Sequence, residues 1–99
     1  MKVVFSKRAD RQVERIDAWW RKNRPASPDL FRRELTELVN LLETPAANLG
    51  RQKRTRRGKL LHRILMEQTA RHVYVRRDST TQLTVVCIWG ATRGREPAL

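Results

Sequence analysis

Residues 71–99 read RHVYVRRDSTTQLTVVCIWGATRGREPAL, and they contain two strand-like segments. Residues 73–77 and 83–89 are rich in valine, threonine and aromatic side chains, and a polar link at residues 78–81 separates them. Such composition on either side of a turn-like link predicts a β-hairpin. The second segment is apolar at nearly every position, which predicts an interior strand buried on both of its faces.

The residues that follow this strand are polar and include Gly90, Arg93, Gly94, Arg95 and Pro97. This composition predicts a flexible tail that leaves the end of the most buried strand. We expect the guanidinium groups of Arg93 and Arg95 to be displayed at the sheet edge, because burying an unpaired charge is very costly. A mobile segment held at its root by a rigid sheet is typical of binding loops.

The N-terminal part of the chain predicts a strand followed by an amphipathic helix. Residues 2–5 form a short apolar run, and Ser6 is suited to cap the helix that follows. Apolar residues recur at helical spacing at Ala9, Val13 and Ile16. The segment 23–25 ends the helix, because the residue before a proline is disfavoured in the helical region.

A second helix is predicted to begin at Pro28 and to stop at Thr44 and Pro45. Ser27 can cap it, Pro28 fits the first helical position, and Asp29 places negative charge near the positive end of the helix dipole. The two helices are predicted to form a hairpin whose shared apolar face needs a sheet to cover it.

Residues 46–58 are polar and predict a solvated loop. Within it lies a dense cationic run whose candidate contacts to nucleic acid or to an acidic partner are Arg51, Lys53, Arg54, Arg56 and Arg57. Residues 59–66 then predict a strand, with Leu60, His62, Ile64 and Met66 on one face and Leu61, Arg63 and Leu65 on the other. The predicted fold is therefore a single α+β domain over residues 1–99, in the order β-α-α-β-β-β, with a helical hairpin on one face of a twisted antiparallel sheet.

Net charge, apolar runs and cysteine content limit the functions that this chain can have. The net charge is +12, from 22 lysines and arginines against 10 aspartates and glutamates, which favours an acidic partner such as nucleic acid, a membrane surface or an acidic protein. The sequence contains neither an apolar run of spanning length nor a secretory signal, so we expect a cytoplasmic protein that does not enter a membrane. The single cysteine, Cys87, lies within the buried strand and is interpreted as a core residue.

The usual motifs of catalysis are missing from the sequence. We find no phosphate-binding glycine loop, no zinc-ligand spacing and no nucleophile elbow, so neither a metal nor a cofactor is expected. Arginines together with His62 and His72 are compatible with metal-independent RNA cleavage, in which an imidazole moves a proton and guanidiniums stabilise developing charge. The same residues are equally compatible with an ordinary basic surface.

Several segments together resemble the ParE/RelE superfamily of bacterial type II toxins. They are IDAWWRKNRP at residues 16–25, LLETP at 41–45, RHVY at 71–74 and WGATRGR at 89–95, in the element order given above. The resemblance implies a small cationic toxin that causes growth arrest in a toxin-antitoxin system of the plasmid-stabilisation type. It also implies an acidic ParD-like or RelB-like antitoxin encoded beside the toxin, which binds it in a hetero-oligomer. On this basis Trp20, Arg71 and Arg76 are the candidate antitoxin-binding residues.

The superfamily has two activities, and the resemblance favours one of them. ParE-like members inhibit DNA gyrase without being enzymes, and the ending after Trp89 resembles theirs, so Trp89, Arg93 and Arg95 are candidate target-binding residues. RelE-like members are ribosome-dependent messenger RNA endoribonucleases that carry basic residues on the strand corresponding to His62, Ile64 and Met66. On that alternative, His62, His72 and Arg93 are the candidate catalytic residues. A nucleic-acid-binding module without enzymatic activity is a further alternative.

Overall fold

The computed structural model describes residues 1–44, 47–92 and 94–99. Two helices and five strands follow one another along the chain: β1 (Lys2–Phe5), α1 (Lys7–Asn23), α2 (Leu30–Leu42), β2 (Arg51–Arg54), β3 (Leu60–Met66), β4 (Arg71–Arg77) and β5 (Gln82–Gly90). The α+β class is therefore confirmed. In the described part of the chain, neither helix is long and apolar enough to cross a bilayer.

The five strands form one sheet in the order β1-β5-β4-β3-β2. The pairs β2–β3, β3–β4 and β4–β5 are antiparallel, as expected, but β1 runs parallel to β5. The sheet is thus mixed, and the prediction of a purely antiparallel sheet is wrong for β1. Because β5 lies between β1 and β4, the prediction of an interior strand is confirmed.

Strand β2 is an addition to the predicted order. It occupies the first half of the cationic run that the sequence predicted to be a solvated loop, and it pairs with β3 through Arg51↔Arg63 and Lys53↔Leu61. The polar composition of the segment concealed it, since an edge strand of four residues needs no apolar face of its own. The cations of this segment are consequently held on a sheet.

The ends of α1 agree with the sequence signals. Ser6 caps the helix, because its Oγ accepts a hydrogen bond from the backbone N–H of Ala9 at 3.1 Å. The helix ends at Asn23, two residues before Pro25. A cap of this kind contributes about 1 kcal/mol to stability.

Helix α2 begins later than predicted. Its first residue is Leu30, Asp29 occupies the cap position without a side-chain capping bond, and Ser27 and Pro28 lie in the preceding turn. The Asp29 carboxylate instead pairs with Arg33 Nε at 3.2 Å, one turn further on. The helix ends at Leu42, and Pro45, which was expected to stop it, lies outside the described residues together with Ala46.

Apolar side chains form two clusters, one on each face of the sheet. The larger cluster joins α1 and α2 to the sheet, which confirms that the helices pack on one face; its fully buried members include Ala9, Phe31, Val73 and Leu83. The smaller cluster lies on the opposite face and consists of Leu61, Tyr74 and Cys87, with Val86, Trp89 and Leu99 packed against it. Strand β5 contributes to both clusters, and Cys87 is fully buried, as predicted.

The C-terminal residues are not a free tail. Residues 94–99 fold back over the second cluster, where Pro97 is buried and Leu99 packs against it. The Ala98 carbonyl accepts a hydrogen bond from Arg8 at 2.5 Å, and the Arg95 carbonyl accepts one from the Trp89 indole at 3.0 Å. The expectation of a flexible tail is wrong because its apolar residues cover sheet surface that no helix covers.

Candidate anion-binding site

The face of the sheet opposite the helices, hereafter the tail face, carries an open cavity. Its volume is about 900 Å³, and β2, the β2–β3 loop, the start of α1 and residues 95–99 surround it. The cationic side chains that line it are Arg8, Lys53, Arg54, Arg56, Arg57 and Arg95. Four of the five cations predicted from the basic run, all except Arg51, therefore meet at one cavity.

Strand register explains why Lys53 lies on the tail face, whereas Arg54, the last residue of β2, pairs with Leu60 and reaches the cavity from the end of the strand. Lys53 pairs with Leu61, and Arg51 pairs with Arg63, so these residues project to the same side as the smaller apolar cluster. Partners in an antiparallel pair point to the same face, and residues two apart along a strand do so as well. The loop between β2 and β3 contributes Arg56 and Arg57 to the lining of the same cavity.

A single carboxylate side chain, that of Glu96, lies among the cations lining this cavity. Glu96 forms an ion pair with Lys53 Nζ, and Arg63 Nη1 lies 3.9 Å from the same Glu96 Oε1. The hydrogen bond from Lys53, aided by the positive charges of Lys53 and Arg63, holds the pKa of the Glu96 carboxyl below its usual value. The position between Lys53 and Arg63 is thus occupied by a carboxylate of the chain itself.

A smaller cavity of about 170 Å³ adjoins the first one and shares Tyr74, Arg95 and Glu96 with it. Its other walls include Arg63, His72 and Trp89. The His72 and Tyr74 rings meet edge to face, with centroids 6.4 Å apart. This cavity combines ring surfaces with guanidinium groups, which is the combination that proteins use to stack bases of single-stranded nucleic acids.

The two histidines lie on opposite faces of the sheet. His72 pairs with Trp89 and points to the tail face, whereas His62 pairs with Val75 and points toward the helices with Ile64 and Met66. Burial lowers the pKa of both imidazoles, with further lowering by Arg63 at His72 and by Arg77 at His62. Both shifts favour the neutral imidazole, and the opposite placement of the two side chains prevents them from acting together on one substrate.

The target-binding candidates lie at the start of the tail. Trp89 is half-buried, and its indole holds the backbone of the exposed Arg95. Arg95 borders both cavities, as expected for a displayed cation. Arg93, which was named for both activities, lies outside the described residues.

The antitoxin-binding candidates do not share one surface. Trp20 packs half-buried against the larger cluster on the helix side, and its neighbour Trp19 is 43% exposed with Arg24 stacked 5.0 Å above its ring. Arg71 lies on the helix-side face of β4, as Val73 does. Arg76 lies on the tail face, where it pairs with Thr84 and donates a hydrogen bond to the Asp78 carboxylate. Trp20, the antitoxin-binding candidate, is therefore the less exposed of the two tryptophans.

Four residues of the site were not nominated from the sequence: Arg8, Arg63, Tyr74 and Glu96. The alternation of side chains along β3 already placed Arg63 on the face of the strand that His62 does not share, so the sequence contained a pattern that could have identified Arg63. Arg8 and Glu96 reach the site from the two ends of the chain, and no local pattern connects them. Among the described residues, no group of three or more histidine, cysteine or acidic side chains is arranged to hold a metal ion.

Comparisons of this chain with models of known protein families, with curated proteins and with solved structures find no match in any of the three.

Proposed function

We propose that this protein is the toxin of a type II toxin-antitoxin system, that it inhibits DNA gyrase as ParE-like toxins do, and that a ParD-like or RelB-like acidic antitoxin neutralises it in the cytoplasm. The observation that carries the proposal is the open cavity on the tail face, where six cationic side chains surround one carboxylate side chain. Together with the net charge of +12, this cavity is suited to an acidic macromolecular partner.

The orientation of β3 supports gyrase inhibition over RNA cleavage. His62, Ile64 and Met66 occupy the positions at which the resemblance expects basic residues in RelE-like nucleases, and all three point toward the helices. The two histidines also lie on opposite faces of the sheet. A site for concerted acid and base catalysis by these two residues is therefore not formed.

The first test is a gyrase supercoiling assay with the purified protein and with Arg95→Glu. Arg95 is exposed beside both cavities, so charge reversal should weaken inhibition about tenfold, corresponding to about 1.4 kcal/mol of binding energy. Arg15→Glu, an identical charge change on an exposed position of α1, is the control and should leave inhibition within twofold (about 0.4 kcal/mol). Lack of inhibition by the wild-type protein, or equal losses in both variants, would contradict the proposal.

A point variant is preferable to a truncation in this experiment. Removing residues 94–99 would also uncover Leu61, Tyr74 and Cys87, so that loss of activity could arise from loss of structure. Charge reversal at Arg95 keeps the buried Pro97 and the contact of Leu99 in place.

RelE-like messenger RNA cleavage is the second candidate, and one observation favours it. His72, Tyr74 and Arg63 line the smaller cavity, where burial and the Arg63 charge lower the pKa of the His72 imidazole. In a translation assay with ribosomes, this candidate predicts cleavage of messenger RNA that His72→Gln reduces about 100-fold, as expected when a general base is lost. His62→Gln, on the opposite face, serves as the control and should retain cleavage.

A further inference from the structure

The Glu96 carboxylate lies beside Lys53 and Arg63 in a position that an external anion could take. The side chains of Lys53 and Arg63 are 32% and 21% exposed, whereas that of Glu96 is 58% exposed. The cations are thus held by strands β2 and β3, and the carboxylate is the accessible and replaceable member of the group. A phosphate group that took its place would meet both cations without any movement of the sheet.

We propose that Lys53 and Arg63 form a phosphate-binding site for single-stranded nucleic acid, and that the Glu96 carboxylate keeps this site closed until a phosphodiester group displaces it. The inference goes beyond the proposed function and does not depend on it, since it requires neither gyrase, nor ribosomes, nor an antitoxin.

The displacement needs little rearrangement of the tail. The backbone of residues 94–99 is held at both ends, by the Trp89 indole on the Arg95 carbonyl and by Leu99 packed on the smaller cluster. Only the Glu96 side chain, which is exposed between these anchors, has to rotate away. Surface ion pairs contribute at most about 1 kcal/mol, so a partner with several phosphates can outcompete this one.

The surroundings of Lys53 and Arg63 favour a nucleic acid over an acidic peptide. Five of the six cations that line the larger cavity are arginines, whose planar guanidinium groups bind phosphate oxygens in pairs. The adjoining cavity is lined by His72 and Trp89 beside the same site, and bases can stack on these two partly exposed rings. The carboxylate groups of an acidic peptide do not stack on rings as bases do.

The proposal is tested by fluorescence anisotropy with a labelled oligothymidylate of roughly 12 nucleotides. Glu96→Gln removes the competing charge and should tighten binding about fivefold, the effect of losing a competitor worth about 1 kcal/mol. Glu37→Gln, the same change at an exposed position of α2, should alter binding less than about twofold.

A double-mutant cycle locates the effect at Lys53. Lys53→Gln should weaken binding more in the Glu96→Gln background than in the wild-type protein, because in the wild type the ammonium is already occupied. Equal effects of Glu96→Gln and Glu37→Gln would overturn the proposal, as would additivity in the cycle. A larger gain toward poly-L-glutamate than toward the oligonucleotide would also overturn it, since it would identify an acidic peptide as the ligand. Circular dichroism of each variant confirms that the fold is retained.

Discussion

At the scale of single residues, Glu34 ties α2 to the turn between β3 and β4. Its side chain is buried and accepts three hydrogen bonds, from the backbone N–H of Gln68 at 2.7 Å, from that of Thr69 at 3.0 Å and from the Thr69 hydroxyl at 2.6 Å. The turn contains Ala70 at a φ of 54°, a strained conformation for a residue with a Cβ. Glu34 therefore satisfies donors that the turn itself leaves open.

Glu34→Ala should lower the free energy of unfolding by about 3 kcal/mol, because it leaves buried donors without an acceptor. Glu37→Ala, on the exposed side of the same helix, should change it by less than about 0.5 kcal/mol. Urea denaturation followed by circular dichroism measures both values. Similar values for the two variants would show that the Glu34 hydrogen bonds contribute little.

Asp78 organises the connection between β4 and β5. Its carboxylate accepts hydrogen bonds from Thr84 Oγ1 at 2.5 Å, Arg76 Nε at 2.8 Å and Gln82 Nε2 at 3.0 Å. These bonds, that from Thr84 foremost, lower the pKa of Asp78 from 3.8 to about 2. The ionised form is thus stabilised in the folded protein relative to the unfolded chain.

This lowered pKa predicts a pH-dependent stability difference between the wild-type protein and Asp78→Asn. A depressed pKa adds stability that is fully present above the unfolded value of 3.8 and is lost as the pH falls through about 2. The wild-type protein should therefore melt at a higher temperature than Asp78→Asn at pH 5 and above, roughly, and the difference should shrink toward pH 2. A difference that stays constant over this range would contradict the assignment.

At the scale of elements, β2 depends on a close approach between two backbones. Gly50, which precedes β2, has a φ of 73°, and a Cβ at this position would lie 2.5 Å from the Arg63 carbonyl oxygen. Gly58, in the β2–β3 loop, has a similar φ of 79°, but a Cβ there would meet nothing within 4 Å. Substitutions at both positions therefore introduce backbone strain, but only a substitution at Gly50 also introduces a steric clash.

Gly50→Ala should destabilise the protein more than Gly58→Ala does. Both substitutions carry the cost of a left-handed backbone, about 1 kcal/mol, and Gly50→Ala additionally forces β3 away from residue 50. Comparing their unfolding free energies isolates the second contribution. If the two variants were equally stable, the packing of residue 50 on β3 would be looser than the structure shows.

At the scale of the whole molecule, the excess of positive charge opposes folding. A net charge of +12 on 99 residues creates self-repulsion, which dissolved salt screens. The melting temperature should therefore rise between about 20 mM and about 300 mM NaCl, as differential scanning calorimetry can measure. A fall with salt would mean that the surface ion pairs outweigh the repulsion.

Local signals in the sequence were sufficient for most helix ends and for the hairpin of β4 and β5. Ser6, Pro25 and the apolar run of residues 83–89 act through interactions within a few residues, so their consequences can be read without knowledge of the rest of the chain. The start of α2 was misplaced, because Ser27 and Pro28, the predicted cap and first helical residue, lie in the turn that precedes the helix.

Only the tertiary structure decided which strands run parallel to each other and which residues form the site. Each connection reverses the chain, so the unexpected β2 inverts every later strand and makes β5 parallel to β1. Lys53 and Glu96 lie 43 residues apart, yet they form an ion pair because the tail covers apolar surface that the helices leave exposed. Local patterns do not encode such contacts, since burial across the whole chain decides which distant segments meet.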